Sequence, residues 1–521
     1  MGGMWWSRAC LLLCAAVLAG CGGGGGGGGG GATPAGGTVV IQGVATFDSV
    51  PNASSGRLDY SATSAKPIRG AVVEAVAEDG SRVLASAMTG ETGAYALSVP
   101  VNTQVQIRVR AQLQRSSAPS WDVTVRDNTA SGAIYSIQSA VFGSGSAASL
   151  QRDIHAPSGW NGSAYGSTRA AGPFALLDTV YVAINKVLSV APALNFPVLR
   201  VYWSSKNRPS SGDPAVGEIG TTFFRSSSDG ERAIYVLGQA DVDTDEYDVS
   251  VVAHEWGHYY QSAFSRDDSP GGEHGPGDLL DRRLAFSEGW GNAWSGIALE
   301  RSTYSDSNDV AQSGGFSLDL SSAPATNRGW FNEQSIQSIF WNLERAAGFG
   351  AIHAAMTGPF RSGVPVTSIH PFAAAFAVAA PSQAGTLASL LAAQAISPST
   401  SDPFGTLETN DQGLSGVLPL YKSAASSNLC VEKDNERRNT IGRFAYVRFT
   451  LAAAGSHQID VTGLPSTSNP AFEVYQGGLL TSQNVQSGAS ESGTLNLPAG
   501  ESVLVLRDSN AGAACFTVSI N

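Results

Sequence analysis

The sequence predicts a multidomain chain with a β-sandwich towards each end and an α+β domain between them. Three observations predict it. The 521 residues are too many for one ordinary core, and at roughly 150 residues per domain they make about three units. Charged residues are sparse at 14%, and the 61 glycines stand among many Ser, Thr and Val residues, a composition that favours strands joined by exposed turns. The hydrophobic pattern also changes twice: alternation gives way to helical spacing after residue 147 and returns near residue 428. The formal net charge of −12 repels phosphate backbones and argues against a nucleic-acid partner.

Residues 1–20 read as a targeting leader. Arg8 precedes an apolar run, Ala9 to Leu18, that has signal-peptide length and falls short of the about 20 residues needed to span a bilayer. The segment Leu18-Ala19-Gly20-Cys21 resembles the lipobox of bacterial lipoproteins. That resemblance implies cleavage before Cys21, lipid on its sulfur and a membrane partner through the lipid; an ordinary secretory signal with an incidental cysteine is the alternative. Residues 21–37, with ten glycines from Gly22 to Gly31, form a flexible tether. Gly22 is not the aspartate that retains many lipoproteins in the inner membrane, which favours the outer membrane of a two-membrane cell envelope. Once Cys10, Cys14 and Cys21 are accounted for, Cys430 and Cys515 remain. An even pair in an exported chain points to a disulfide, with two buried thiols as the alternative.

Residues 38–146 are assigned to the first sandwich, because TVVIQGVATF, GAVVEAVA, AYALSVP and QVQIRVRAQL alternate apolar and polar positions between turn residues. PIRGAVVEAV followed by TGETGAYALSVP resembles the carboxypeptidase regulatory-like domains of bacterial secreted enzymes, which implies a spacer or docking module. Residues 428–521 are again all strands, among them FAYVRFTLAA, HQIDVTGL and CFTVSIN. They resemble the pre-peptidase C-terminal domain, a β-sandwich appended to secreted peptidases.

The central region, 147–424, mixes helix and strand. Phe174, Leu177, Tyr181, Ile184 and Leu188 recur at helical spacing, and VLRVYW and AIYVLGQ read as strands. NEQSIQSIFWNLERAAG places Ile336, Ile339, Phe340 and Leu343 on one buried face, with a ligand role for Glu333 as the lesser alternative. The segment AHEWGHYYQ sets His254 and His258 four residues apart, so on a helix both imidazoles reach one point in space. Two imidazoles at about 2.0–2.1 Å suit zinc, and Glu255 beside the first can take a proton from a water there. DTDEYD, Asp243 to Asp248, suits the start of this helix through capping and the macrodipole.

A catalytic zinc site needs a third protein ligand. Gln261 and Phe264 stand where the pattern HExxHxxGxxH requires Gly and His, which excludes that branch. LAFSEGWGNAWSGIALE follows with Glu288 thirty residues beyond His258, and Gly289, Gly291 and Gly296 in it would each cost an isolated helix about 1 kcal/mol relative to alanine. Such costs are tolerated where another backbone approaches closely, so this segment is expected to pack on the HEWGH helix and bring Glu288 to the metal. HEWGH followed by SEGWGN resembles the gluzincin branch of zinc metallopeptidases. The resemblance implies a zincin-like catalytic domain, Zn2+ as cofactor, His254, His258 and Glu288 as ligands, Glu255 as general base, and a protein or peptide substrate. In thermolysin-like relatives an acidic residue four positions after the ligand glutamate orients a histidine; here it is Asn292, whose amide oxygen accepts the same bond without adding charge.

A donor for the developing oxyanion is also required. Tyr259, Tyr260, His274, His353 and His370 all qualify by type. The loop Ser265 to Arg283 reads either as a plain connection or as a rim of the cleft, with His274 a partner to a ligand or an alternative ligand. AIYVLGQ, Ala233 to Gln239, reads as an ordinary sheet strand or as the edge strand on which an extended peptide pairs. The competing functional reading of the whole chain is a non-enzymatic surface lipoprotein that binds partners through its sandwiches.

Overall fold

The computed structural model describes residues 37–275, 277–433 and 439–521. The expected leader, Cys21 and nearly all of the glycine tether lie outside the described residues. Among the described residues no helix is long and apolar enough to cross a membrane.

The architecture is multidomain and sheet-rich, with seven α-helices among the described residues. Thr38–Ser49 pairs with Ala94–Pro100 and three shorter strands in one sheet. A larger sheet runs in the order Phe223–Ser226, Arg232–Val236, Leu199–Trp203, Trp121–Asp127, Gln104–Arg115, Ala71–Ala77, Val83–Met88. This sheet has strands on both sides of the expected boundary between 146 and 147. Trp121–Asp127 lies parallel to Leu199–Trp203 in the register Leu199↔Val123 and Val201↔Val125, so the sheet runs straight through it. The core is continuous too: Val39, Val73 and Val105 belong to the same buried cluster as Leu176, Val201 and Trp256. Alternating valines mark both strands as half-buried, but nothing local in either says that the other is its neighbour.

Helix α1, Gly172–Leu188, buries Phe174, Leu177, Ile184 and Val187 on that core, with Pro173 in its first turn, where a missing N–H costs nothing. Helix α2, Val249–Phe264, carries HEWGH, and α3, Arg282–Leu299, carries SEGWGN. Helix α4, Glu333–Ala347, is capped by Asn332, whose side chain accepts from Gln334 N and Ser335 N. Helices α5 (Phe349–Thr357), α6 (Ile369–Ala379) and α7 (Ala384–Ala393) complete the helical layer.

The C-terminal strands make two four-stranded antiparallel sheets around a separate core of Val447, Ile459, Phe472, Leu504 and Phe516. Cys430 and Cys515 face each other on neighbouring strands and form a disulfide.

Candidate metal centre and cleft

Helices α2 and α3 cross at two glycines. A Cβ on Gly257 would lie 3.1 Å from the Gly291 Cα, and one on Gly291 would lie 2.8 Å from His254 Cε1 and 2.9 Å from its Nε2. Gly289 is as tight against α4, 2.4 Å from Ile336 Cβ. Aromatic rings seal the crossing from behind: Trp294 stacks on Trp256 at 5.2 Å and on Tyr260 at 5.4 Å, and Trp290 Nε1–H donates to Gly257 O at 3.0 Å. The close approach expected from the α3 glycines is therefore real, and it sets the buried histidine pair of α2 beside the Glu288 carboxylate of α3. A Gly291→Ala variant should keep its helical circular dichroism while binding zinc about tenfold or more weakly, because the added methyl displaces the His254 ring. Competition with a chelating dye measures this.

Among the described residues, His254, His258 and Glu288 form one of two groups whose ligand atoms converge, and all three side chains are buried. His254 Nε2 and His258 Nε2 are 3.0 Å apart, and Glu288 Oε2 lies 3.1 Å from the first and 3.4 Å from the second. Four ligands at 2.0–2.1 Å around a tetrahedral ion stand about 3.3–3.4 Å from one another, so this triangle fits one face of a zinc site. Each histidine is oriented from outside. His254 Nδ1–H donates to Asn292 Oδ1 at 2.8 Å, the tautomer that leaves the Nε2 lone pair available to a metal ion. His258 Nδ1 faces Ser287 Oγ at 3.1 Å, and that hydroxyl has Gln261 Oε1 and Asp267 Oδ2 as acceptors at 3.3 Å.

Glu255 is not part of the triangle. It accepts from Phe224 N at 2.7 Å, and burial pushes its carboxyl above the usual range, against the pull of the two histidines. Phe224 belongs to Phe223–Ser226, and of the two readings of AIYVLGQ the ordinary sheet strand holds and the edge strand does not. AIYVLGQ supplies Arg232–Val236, paired on both sides, and the outermost strand is Phe223–Ser226.

The triangle opens into a cleft of about 1250 Å³. Of the five oxyanion candidates only His274 lines it. Tyr259 donates to Pro197 O, Tyr260 meets His353 Nδ1 at 2.8 Å, and His370 pairs with Glu408 at 3.0 Å. His274 Nε2 lies 3.1 Å from Glu288 Oε2 and 3.8 Å from Glu333 Oε2, while its Nδ1–H donates to Gly272 O at 3.1 Å. Both ring nitrogens face acceptors, the arrangement of an imidazolium. Burial opposes that charge, and Glu288 overrides it, raising His274 to about 10. Burial likewise opposes ionisation of Glu288, which His258 and His274 hold well below the usual carboxylate range.

Sequence reasoning missed Tyr304 and Asp306. Both line the cleft, and the Tyr304 ring centroid is 6.2 Å from that of His254. The signal was the strand Thr303–Asn308 just beyond α3, whose alternation puts Tyr304 and Asp306 on one face. Burial and then Asp306 keep the Tyr304 hydroxyl protonated.

The expected cap of α2 also differs. Asp248 stands at the N-cap position without a capping bond, because its carboxylate accepts from Asn52 and Ser307. Asp243 and Asp245 form the second converging group with Asp306. Burial, then Asp243, raise Asp306 to about 7; burial raises Asp243 to about 6. A carboxyl whose folded value lies above its unfolded value holds an extra proton in the folded chain, so stability falls as pH rises from about 4 to 7 and the cost is complete above 7. Asp306→Asn in chelator should therefore raise stability at pH 8 by on the order of 2 kcal/mol and leave it unchanged near pH 4, as read by urea unfolding at both values.

Comparison with protein-family profiles and with curated proteins finds no match. Among solved structures, the chain is similar to the precursor of protealysin, a metalloproteinase from Serratia proteamaculans, at 9% identity and a TM-score of 0.32, covering 54% of this chain and 89% of that one. It is also similar to the pre-peptidase C-terminal domain of a collagenase from Bacillus anthracis (13% identity, TM-score 0.14) and to Aeromonas hydrophila PliG, a periplasmic inhibitor of g-type lysozyme (18% identity, TM-score 0.12). Each of these covers 15% of this chain and 78% of the other. At these scores none of the three bears on the chemistry of the site.

Proposed function

We propose that the chain is a zinc-dependent endopeptidase of gluzincin type that hydrolyses peptide bonds in protein substrates. The observation that carries this is the triangle of His254, His258 and Glu288, with edges of 3.0, 3.1 and 3.4 Å, facing an open cleft that the buried Glu255 carboxylate also lines. The chemistry that zinc supplies when bound is polarisation of the scissile carbonyl and acidification of a water towards a pKa of about 7. Glu255 takes the proton of the attacking water and returns it to the leaving nitrogen, a task suited to a carboxyl raised by burial. Tyr304, kept neutral in the cleft wall, donates to the developing oxyanion. The leader and the LAGC segment support export and a lipid anchor at Cys21 on the bacterial envelope, with the outer membrane favoured.

Metal analysis of the purified chain tests the reading against a non-enzymatic surface lipoprotein. One zinc per chain is expected, with hydrolysis of an unfolded protein substrate lost on chelation and restored by zinc. A chain that binds no zinc under titration sinks it.

A further inference from the structure

The loop between the two ligand helices does not hang free. Asn439 Nδ2–H donates to Gly271 O, Asp281 N–H donates to Asn439 O at 2.7 Å, and Ile441 N–H donates to Leu279 O at 2.8 Å. Leu280 and Thr440 form an antiparallel bridge, and Tyr446 O–H donates to Asp281. Asn439, Thr440 and Ile441 belong to the segment that leads into the C-terminal double sheet and Tyr446 to its strand Ala445–Leu451, while from the helical layer Phe331 O accepts from Leu280 N–H at 2.8 Å and Asn327 donates to Gly277 O at 3.3 Å. They hold the loop at Gly271 and at Leu279–Asp281, on either side of His274. Between those two grips His274 places its Nε2 against Glu288 Oε2, the oxygen that converges with the histidine pair.

A second buried carboxylate faces the same ring. Glu333, only 5% exposed, turns Oε2 into the cleft wall with no hydrogen-bond partner, 3.8 Å from His274 Nε2. His254 has Asn292 and His258 has Ser287 to set their orientation. Glu288 has His274, and nothing on its own helix takes that place.

We propose that the C-terminal double sheet is a functional part of the metal centre: by gripping the loop at Gly271 and Leu279–Asp281, it makes His274 a positioning residue that fixes the Glu288 carboxylate in its ligating orientation. This rests on the zinc reading above. Outer partners of metal ligands set affinity as well as geometry, so the link has a readout in the metal itself.

The test uses the full chain and four variants: His274→Ala, His274→Gln, Asn439→Ala and the double His274→Ala/Asn439→Ala. The measurements are the zinc dissociation constant by chelator competition, the visible spectrum of the cobalt(II)-substituted protein, and the thermal midpoint of the metal-free chain. His274→Ala should weaken zinc about 10- to 100-fold and alter the cobalt spectrum, and His274→Gln, which keeps an N–H donor, should recover most of both. Asn439→Ala touches no ligand, yet should shift both in the same direction. The double variant should bind zinc no more weakly than His274→Ala alone, because both changes break one chain of contacts. If Asn439→Ala loses the fold, Tyr446→Phe, which removes only the hydroxyl on Asp281, replaces it. Wild-type zinc affinity and spectrum in Asn439→Ala, or additive losses in the double variant, overturn the proposal. So does a His274→Ala variant that loses turnover with unchanged zinc affinity, which would move His274 to the reacting carbonyl. A wild-type chain that takes up no zinc fails the functional reading itself; a zinc-binding, active wild type with indifferent variants fails the link alone.

Discussion

Glu255→Gln should lower turnover on an unfolded protein substrate by about 10³-fold while leaving one zinc bound. Glutamine has the size and shape of glutamate and still offers an oxygen to Phe224 N, so the edge strand stays in place. It has no carboxylate to take a proton, and it lies outside the converging triangle, so metal retention is unaffected. Steady-state kinetics paired with zinc content on the same preparation check both halves. Loss of zinc together with activity would mean that Glu255 supports the site rather than moving a proton. Survival of activity would place the base elsewhere in the cleft.

The second large effect is on stability. Arg283 is 1% exposed at the first turn of α3, with Nε 2.9 Å from Asp281, Nη1 3.4 Å from Glu473 and 3.4 Å from the Tyr475 hydroxyl, and its guanidinium 4.5 Å from the Phe444 ring centre. Arg283→Ala removes the cation and leaves the Asp281 carboxylate buried beside a cavity, and breaking such a pair costs about 3–5 kcal/mol. The urea midpoint of the metal-free chain should fall accordingly. Arg345 is the internal control: its side chain is 48% exposed against Glu344, so Arg345→Ala should change stability by less than about 1 kcal/mol. Equal effects at the two positions would show that the contact between α3 and the C-terminal double sheet contributes little to folding.

The parts of the site that were legible in the sequence are those written in local periodicity. His254 and His258 at i and i+4 need only a helix to meet, and the glycines of α3 announced that something would press against it. What was illegible depends on which distant segment lies alongside. Phe223–Ser226 is a short strand in a polar stretch, and only its pairing makes it the outer one that holds Glu255. His274 was readable by type as a partner to a ligand, but the path of its Gly- and Pro-rich loop is set by contacts with Asn439 and Ile441, more than 150 residues away in sequence and with no period to reveal them. Asp243, Asp245 and Asp248 read as a helix start, and α2 does start there, but their carboxylates are spent on Asn52, Ser307, Thr222 and one another. The continuity of the sheet across residues 146 and 147 was illegible for the same reason: two alternating strands about 75 residues apart do not declare that they are neighbours.

The parallel pairing of Trp121–Asp127 with Leu199–Trp203 limits how the gene can be cut. A fragment starting at residue 147 would carry α2, α3 and every proposed zinc ligand, yet it would present a bare ladder of amides along Leu199–Trp203 and deprive Asp248 of its Asn52 donor. Such a fragment should collect in inclusion bodies, and grafting these helices onto another secreted scaffold would have to carry the upstream strands along.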